Sequence, residues 1–323
     1  MLGSSSSSGG LRGDRGEENI PAAITDVGCE RDINEDRYAV IDSPAGRAWI
    51  VCDGMGGTMG GELAAQLAID AVRRGLESRS FESTVEALQS AVEEANRVIV
   101  LRRQNPAFSS MGTTVVGALI QGDEVALAHA GDSRAYLVRD GAIQQLTVDH
   151  TYVQDLVDRG AINEEDALSH PQAHVLTKCL GAAPRLDLDT QTFWIWPAAN
   201  GEPEDKLILC SDGLYSLVED YEMAEIFTTH SPQEACVKLV EMAKERGGYD
   251  NITLAVLPLG GQMREESPEH PYRPAKVQQR EATVSPLATF GASLSLGKRL
   301  ALMFLLALVG SIGTVLTTLI DMR

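Results

Sequence analysis

The feature that most constrains this chain is a short apolar run that ends at an aspartate followed by glycines. The run from Ala48 to Cys52 is typical of a buried strand, Asp53 follows it directly, and three of the next four residues are glycine. Such glycines let the backbone turn tightly and bring carbonyl groups close to a ligand. A carboxylate beside an exposed carbonyl suits a hard cation such as Mg²⁺ or Mn²⁺. Taken alone, the stretch is equally typical of an ordinary Asp-Gly turn.

The same pattern recurs at three further aspartates. Asp132 and Asp212 each follow the end of an apolar run, and Asp250 stands just before another. Four such residues indicate carboxylates that converge at one edge of a sheet core. Because unpaired carboxylates would repel each other, we expect cations to hold the cluster together.

Hydrophobic periodicity predicts strand meanders interrupted by pairs of helices. The predicted helices cover residues 62–76, 85–103, 150–159, 163–168, 222–228 and 232–246. The predicted strands cover residues 38–41, 48–52, 113–120, 125–130, 135–138, 143–147, 186–196, 207–210 and 251–257. This order favours an α+β sandwich over a parallel βαβ array.

In this order the motifs resemble those of the metal-dependent serine/threonine protein phosphatases, the PPM or type 2C family, in its bacterial form. The matching stretches are residues 31–36 (RDINED), 53–57 (DGMGG), 111–114 (MGTT), 131–134 (GDSR), 211–213 (SDG) and 250–251 (DN). The resemblance covers roughly residues 20–260. It implies a four-layer α-β-β-α sandwich with two central antiparallel sheets.

The resemblance also implies a ligand set for two tightly bound metals, Mn²⁺ or Mg²⁺, and a third, weaker one. Asp53 would bridge the tight pair, Asp212 and Asp250 would complete the first site, and the Gly54 carbonyl would join the second. Asp132 would share the third metal with Asp212. Two metals supply a deprotonated water and neutralise charge on the phosphoryl oxygens.

Three further residues receive roles from the same resemblance. Arg31 matches the phosphate-binding arginine, whose planar fork suits phosphate oxygens. Glu35 and Asp36 match acids that hold metal-bound waters. A surface arginine and a charged loop are the alternative interpretations of Arg31 and Glu35. Four other motif residues are interpreted mainly as scaffold: Thr113, Thr114, Ser133 and Arg134.

The general acid stays unassigned at this point. Eukaryotic members of the family have a histidine after the Asp-Gly pair, and this chain has Met55 there. His170 and His174, in the stretch that resembles the family's mobile flap, are candidates. Ordinary loop histidines are the alternative.

The amino-acid composition narrows the range of binding partners that we expect for this chain. A formal net charge of −19 and a pI near 4.7 argue against binding of nucleic acid. The five cysteines show no CxxC spacing, which favours reduced thiols in a cytosolic protein over disulfides or zinc. Residues 1–19 are expected to be disordered, without a secretory signal.

The C-terminal part of the sequence predicts a linker over residues 261–297 and a membrane anchor over residues 298–323. The run that begins at Leu300 and ends at Ile320 holds 21 residues without a charge. As a helix it would span roughly the 30 Å of a bilayer core. Lys298 and Arg299 precede it, so the positive-inside rule places the preceding domain in the cytoplasm. A buried soluble helix is the alternative.

The sequence thus predicts a membrane-tethered phosphatase that hydrolyses phosphoserine and phosphothreonine on proteins, themselves expected to be substrates of Ser/Thr kinases. One alternative is a pseudophosphatase, a module that binds phosphoproteins without turnover. Another is a metal phosphohydrolase that acts on small molecules. Metal-dependent turnover of an aryl phosphate would distinguish an enzyme from a binding module. Comparing turnover of a phosphothreonine peptide with turnover of small phosphorylated metabolites would distinguish the two enzyme classes.

Overall fold

The computed structural model describes residues 20–56, 60–78, 80–195 and 205–260. All described residues belong to one compact unit, which lies within residues 1–275. The predicted disordered N-terminus, linker and anchor helix lie outside the described residues. Among the helices of the described part, none is both long enough and apolar enough to cross a bilayer.

The strands form two five-stranded antiparallel sheets and one short pair. They are β1 (Ala22–Asp26), β2 (Arg37–Ser43), β3 (Gly46–Cys52), β4 (Gly54–Met55), β5 (Gly112–Thr113), β6 (Val115–Gln121), β7 (Glu124–Ala130), β8 (Arg134–Arg139), β9 (Ala142–Gln145), β10 (Asp189–Trp194), β11 (Asp205–Cys210) and β12 (Ile252–Leu259). The first sheet has the order β1-β12-β11-β8-β9 and the second the order β10-β7-β6-β3-β2, while β4 pairs with β5.

The described part of the chain has seven α-helices: α1 (Gly60–Glu77), α2 (Thr84–Arg102), α3 (Tyr152–Asp158), α4 (Glu164–Leu168), α5 (Asp212–Tyr215), α6 (Asp220–Thr229) and α7 (Pro232–Glu245). Two pairs of them cover the outer faces of the sheets. Helices α1 and α2 share an apolar cluster with the second sheet, and α6 and α7 share another with the first. A third cluster lies between the two sheets. The predicted α+β sandwich with two central antiparallel sheets is confirmed.

Side-chain alternation along β3 shows how one strand serves two layers. Ala48 and Ile50 pack towards helices α1 and α2, whereas Trp49 and Val51 pack between the sheets. Successive side chains of a strand point to opposite faces, so a strand that is covered on both faces is apolar at every position. This is why the run before Asp53 is continuously apolar and does not alternate with polar residues.

The predicted helices and strands are confirmed in order, with bounds that differ by a few residues, apart from one strand. The strand predicted over residues 113–120 is two strands, because Thr114 leaves the ladder and bonds to the backbone of Asp53. The third predicted helix begins at Tyr152, since the side chain of Thr151 caps it. The sequence pattern does not delimit the short helix α5.

Candidate metal centre

The predicted aspartates meet at one edge of the paired sheets. In the second sheet the end of β3 lies beside the start of β6, which in turn pairs with the end of β7. In the first sheet the end of β11 lies beside the starts of β8 and β12. Asp53, Asp132 and Asp212 follow these strand ends, and Asp250 precedes β12. The convergence predicted from the sequence is therefore confirmed in the structure.

The carboxylates are close enough to act on one another electrostatically. Burial raises the pKa of Asp53 well above its ordinary value, and the charges of Asp36, Asp212, Asp132 and Asp250 raise it further. A carboxylate surrounded by four others is stable in its charged form only beside compensating positive charge. The cluster thus has the electrostatics of a cation site.

Asp212 gives a direct test of whether a cation fits. Its Oδ1 atom is buried and has no hydrogen-bond partner among the described residues. A buried carboxylate oxygen without a donor costs free energy that a hard cation would recover. Burial and the charge of Asp250 raise the pKa of Asp212, while the charges of His174 and Arg31 and a side-chain hydrogen bond with Asp53 lower it. The donor set therefore fits a divalent metal ion.

The backbone at Asp53 is held by two threonines. Thr113 Oγ1 and Thr114 N each donate to the carbonyl oxygen of Asp53 at 2.8 Å, and Asp53 N donates to Thr114 Oγ1 at 2.9 Å. Thr114 Oγ1 also lies 2.7 Å from Ser133 Oγ, next to Asp132 in the chain. These hydroxyl groups fix the two aspartates relative to each other, consistent with their scaffold interpretation.

Gly54 is required for close packing at this point. A Cβ atom at Gly54 would lie 2.2 Å from the carbonyl oxygen of Gly61, at the start of α1. A Cβ atom at Gly61 would in turn lie 2.5 Å from Glu35 Oε1. Since no side chain fits at either position, the backbone of Gly54 runs directly between Glu35 and helix α1.

Asp36 lies behind the cluster. It is buried, and its Oδ2 atom accepts a hydrogen bond of 2.7 Å from Ser211 Oγ. Ser211 Oγ accepts in turn from Thr253 N at 3.1 Å. Burial raises the pKa of Asp36 to about 7, and the Ser211 hydrogen bond acts against that rise. Asp36 is thus tied to the strand end that carries Asp212.

Asn251 is a structural residue of the site to which the sequence assigns no role. Its Oδ1 atom accepts from Glu35 N at 2.7 Å, and its Nδ2 atom donates to the carbonyl oxygens of Val27 and Ile33. One amide therefore holds the loop that carries Arg31, Glu35 and Asp36. Its position directly after Asp250 is the only signal in the sequence that could have indicated this role.

Arg31 lies at the mouth of the cluster. Its Nη2 atom is 2.7 Å from Asp250 Oδ2, and its side chain is 49% exposed. The guanidinium group is therefore next to the carboxylates and open to solvent, as a residue that binds a substrate anion must be.

The two flap histidines differ in their surroundings. His170 Nδ1 accepts from Gln172 N at 3.1 Å, and its ring lies 6.2 Å from that of Tyr152. His174 is exposed and close enough to Asp212 for its charge to lower the pKa of that carboxyl. Of the two histidines, His174 is the one whose charge acts on the aspartate cluster.

A second group of possible ligands consists of His129, His150 and Asp189, whose donor atoms lie within 4.8 Å of one another. The two rings stack with centroids 4.5 Å apart and an interplanar angle of 7°. Imidazole lone pairs lie in the ring plane, so rings in parallel planes cannot both point at one ion.

Hydrogen bonds give the same result for this group. His150 Nδ1 accepts from Gly131 N at 3.2 Å, so the proton of the neutral ring is on Nε2, which lies 3.4 Å from Asp189 Oδ2. Lys178 Nζ already pairs with Asp189 at 2.9 Å. The group is therefore a hydrogen-bonded brace, and its geometry does not suit a metal.

Fold and site together define a metal-dependent enzyme with a carboxylate centre at the edge of a two-sheet sandwich. Comparisons with known proteins then identify the family. A family model described as protein phosphatase 2C matches residues 30–243. The serine/threonine phosphatase stp of Listeria monocytogenes serotype 4b (strain F2365) is 35% identical over 240 residues, which cover 72% of this chain and 93% of that protein.

Solved structures agree. The crystal structure of the Mycobacterium tuberculosis serine/threonine phosphatase PstP/Ppp matches with a TM-score of 0.66 at 35% identity, covering 73% of this chain and 97% of that one. The catalytic domain of the phosphatase PstP in complex with 2 manganese ions matches with a TM-score of 0.63 at 34% identity, covering 74% and 97%. The chain belongs to the protein phosphatase 2C family. The predicted resemblance and the predicted enzyme class, a protein serine/threonine phosphatase, are confirmed.

Proposed function

We propose that the chain hydrolyses phosphoserine and phosphothreonine esters on proteins, with divalent cations held by Asp53, Asp212 and Asp250. The observation that carries this proposal is the buried Oδ1 atom of Asp212, which has no hydrogen-bond partner among the described residues and lies within the aspartate cluster. Family membership supports the reaction, and the phosphoproteins follow from the names of the relatives.

The cofactor is proposed to be Mn²⁺ or Mg²⁺. The PstP domain that was solved with 2 manganese ions supports a tight pair of metals. In this chain Asp53 would bridge the pair, Asp212 and Asp250 would complete one site, and the Gly54 carbonyl would join the other. Asp132 and Asp212 would hold a third, weaker ion. When bound, the cations supply a deprotonated water and offset negative charge on the phosphoryl group.

The chain's own residues then bind and orient the substrate. Arg31 is proposed to donate to the phosphate, because its guanidinium group lies at the mouth of the cluster within reach of Asp250. Asp36 and Glu35 are proposed to accept hydrogen bonds from water at the metals. Ser211 keeps the Asp36 carboxylate oriented through its 2.7 Å hydrogen bond. His174 is the proposed proton donor to the leaving oxygen, since Met55 has no proton to give.

The deciding experiment is phosphatase activity of the full-length chain as a function of added Mn²⁺ or Mg²⁺, on a phosphothreonine peptide and on an aryl phosphate. Asp53→Asn should reduce turnover to below about a tenth of wild type, because the bridging carboxylate is lost. Asp42→Asn is the matched control, since Asp42 is exposed and pairs only with Arg47 in the described part of the chain.

Three results would contradict the proposal. Activity of Asp53→Asn above that tenth would reject the two-metal assignment. Binding of the phosphopeptide without metal-dependent turnover would support a pseudophosphatase. Turnover of small phosphorylated metabolites with none of the peptide would support a small-molecule phosphohydrolase.

We further propose that the chain is attached to the cytoplasmic face of a membrane. Residues 20–260 would form the catalytic domain, residues 261–297 a linker and residues 298–323 the anchor. Support comes from the 21-residue uncharged run and from the basic pair Lys298 and Arg299 before it. Full-length protein should resist carbonate extraction from membranes, whereas a chain truncated after Gly260 should be soluble and equally active. Full-length protein in the soluble fraction would reject the anchor.

A further inference from the structure

The loop that carries Asp132 is joined to helix α5, which carries Asp212, through a single tyrosine. Tyr215 ends α5, one turn after Asp212, and its hydroxyl group donates to the backbone carbonyl oxygen of Asp132 at 2.9 Å. Asp132 and Tyr215 are 83 residues apart in sequence. This bond is therefore a direct connection between the two strand ends whose carboxylates face each other.

The ring of Tyr215 is fixed by Arg134. The guanidinium carbon of Arg134 lies 3.6 Å from the centre of the Tyr215 ring. Hydrogen bonds to two side chains hold the guanidinium group itself: Nε and Nη2 donate to the Asp149 carboxylate at 2.9 and 2.6 Å, and Nη1 donates to Tyr136 Oη at 2.9 Å. A bidentate ion pair of this kind has little freedom to rotate, so the stacked Arg134 restricts movement of the Tyr215 ring.

The peptide group on the other side of Asp132 is held as well. Gly131 N donates to His150 Nδ1 at 3.2 Å, and His150 N donates to Gly131 O at 3.0 Å. Gly131 has a φ of +116°, and a Cβ atom there would lie 2.6 Å from Thr114 Cγ2. His150 thus fixes the loop before Asp132, while Tyr215 fixes the carbonyl group after it.

This arrangement has a consequence for cation affinity. The charge of Asp212 acts on the Asp132 carboxyl, and two like charges move apart unless the backbone prevents it. A cation that both carboxylates share is bound more tightly when their separation is fixed before binding. Strands β8 and β11 pair up to Arg134 and Cys210, and beyond that ladder the Tyr215 hydroxyl bond joins the segment of Asp132 directly to the helix that carries Asp212.

We propose that Tyr215 is a positioning residue that fixes the separation of Asp132 and Asp212 and so sets the affinity of the metal ion they share. This inference rests on the proposed ligand roles of the two aspartates. It assigns to Tyr215 a function in metal affinity and none in the bond-breaking step.

The test uses calorimetric titration of the metal-free, full-length protein with Mn²⁺. Tyr215→Phe removes one hydroxyl group and keeps the ring beneath Arg134. The weaker dissociation constant should rise about 3- to 10-fold, as expected for the loss of one neutral hydrogen bond. The two tighter binding events should keep their affinity and stoichiometry. Activity should need correspondingly more Mn²⁺ but reach the wild-type plateau.

Tyr136→Phe is the matched control, because it removes the other tyrosine hydroxyl group at Arg134 and has no bond to Asp132. Its weak-site affinity should equal that of wild type. An equal rise in both variants would overturn the proposal, since the cause would then be general loosening around Arg134.

Three other outcomes separate this proposal from the proposed function. A weak binding event that is unchanged in Tyr215→Phe would overturn the positioning role alone. Absence of any weaker event in the wild-type protein would overturn both the positioning role and the ligand role of Asp132. Failure of Asp53→Asn to lose activity would instead reject the two-metal assignment.

Discussion

Asp36→Asn should change how the stability of the metal-free protein depends on pH. The Asp36 carboxyl has a pKa of about 7 in the folded chain, mainly because it is buried, against an ordinary value of 3.8. Between those two values the folded chain binds more protons at this residue than the unfolded chain does. The stability contributed by Asp36 is therefore present at low pH and is lost as the pH rises through about 7.

The magnitude follows from the same two values. Integrated from about pH 5 to about pH 8, the loss from Asp36 alone is roughly 2–3 kcal/mol, at about 1.4 kcal/mol per pH unit. Other groups contribute in the opposite direction, since burial lowers the pKa values of His129 and His150. Asparagine keeps an acceptor for the Ser211 hydroxyl group but does not titrate, so the difference between the two proteins reports the titration of Asp36 together with its effect on Asp53.

The assay is urea unfolding of both proteins at a series of pH values in the presence of a chelator. The unfolding free energy of the wild type, relative to Asp36→Asn, should decrease by that amount from about pH 5 to about pH 8. A difference that stays constant, or that increases in favour of the wild type, would show that burial does not raise the pKa of Asp36.

Three further predictions concern single residues. Asp132→Ala should leave the tight metal pair bound and slow turnover. Loss of both tight metals in calorimetry would show that the assignment of Asp132 to the weaker metal site is wrong. Gly213→Ala should destabilise the fold by about 2 kcal/mol or more in urea unfolding, because its Cβ atom would lie 2.1 Å from the carbonyl oxygen of Asn251. Ser231→Ala should cost about 1 kcal/mol of stability, as the capping box with Glu234 at the start of α7 is lost, and an unchanged melting temperature would contradict this.

The sequence predicts the aspartate cluster because its signal is local. An apolar run that stops at Asp53 or Asp212 is visible within ten residues, and strand ends in a sandwich gather at one edge. The hydrogen bonds that fix the cluster are not local. Ser211 meets Asp36 across 175 residues and Asn251 meets Glu35 across 216, so these partners are set by strand register, which a single sequence does not specify.

The sequence fails to predict some ends of strands and helices for a related reason. The interruption between strands β5 and β6 at Thr114 depends on a hydrogen bond to Asp53, which is 61 residues away. The local pattern of β-branched residues does not indicate this interruption. The short helix α5 has too few residues to show a period. In both cases tertiary contacts decide a conformation that local propensity leaves open.

The pairing of β1 with β12 has a consequence for the order in which the domain folds. Ala22 lies opposite Val256, and among the described residues β1 pairs only with β12, the last described strand to be synthesised. Closing so long a loop is slow, and folds dominated by such contacts fold slowly. Asp250 and Asn251 directly precede β12, so a nascent chain cannot complete the proposed metal centre before that strand has left the ribosome. Chains that stop short of β12 should therefore be inactive.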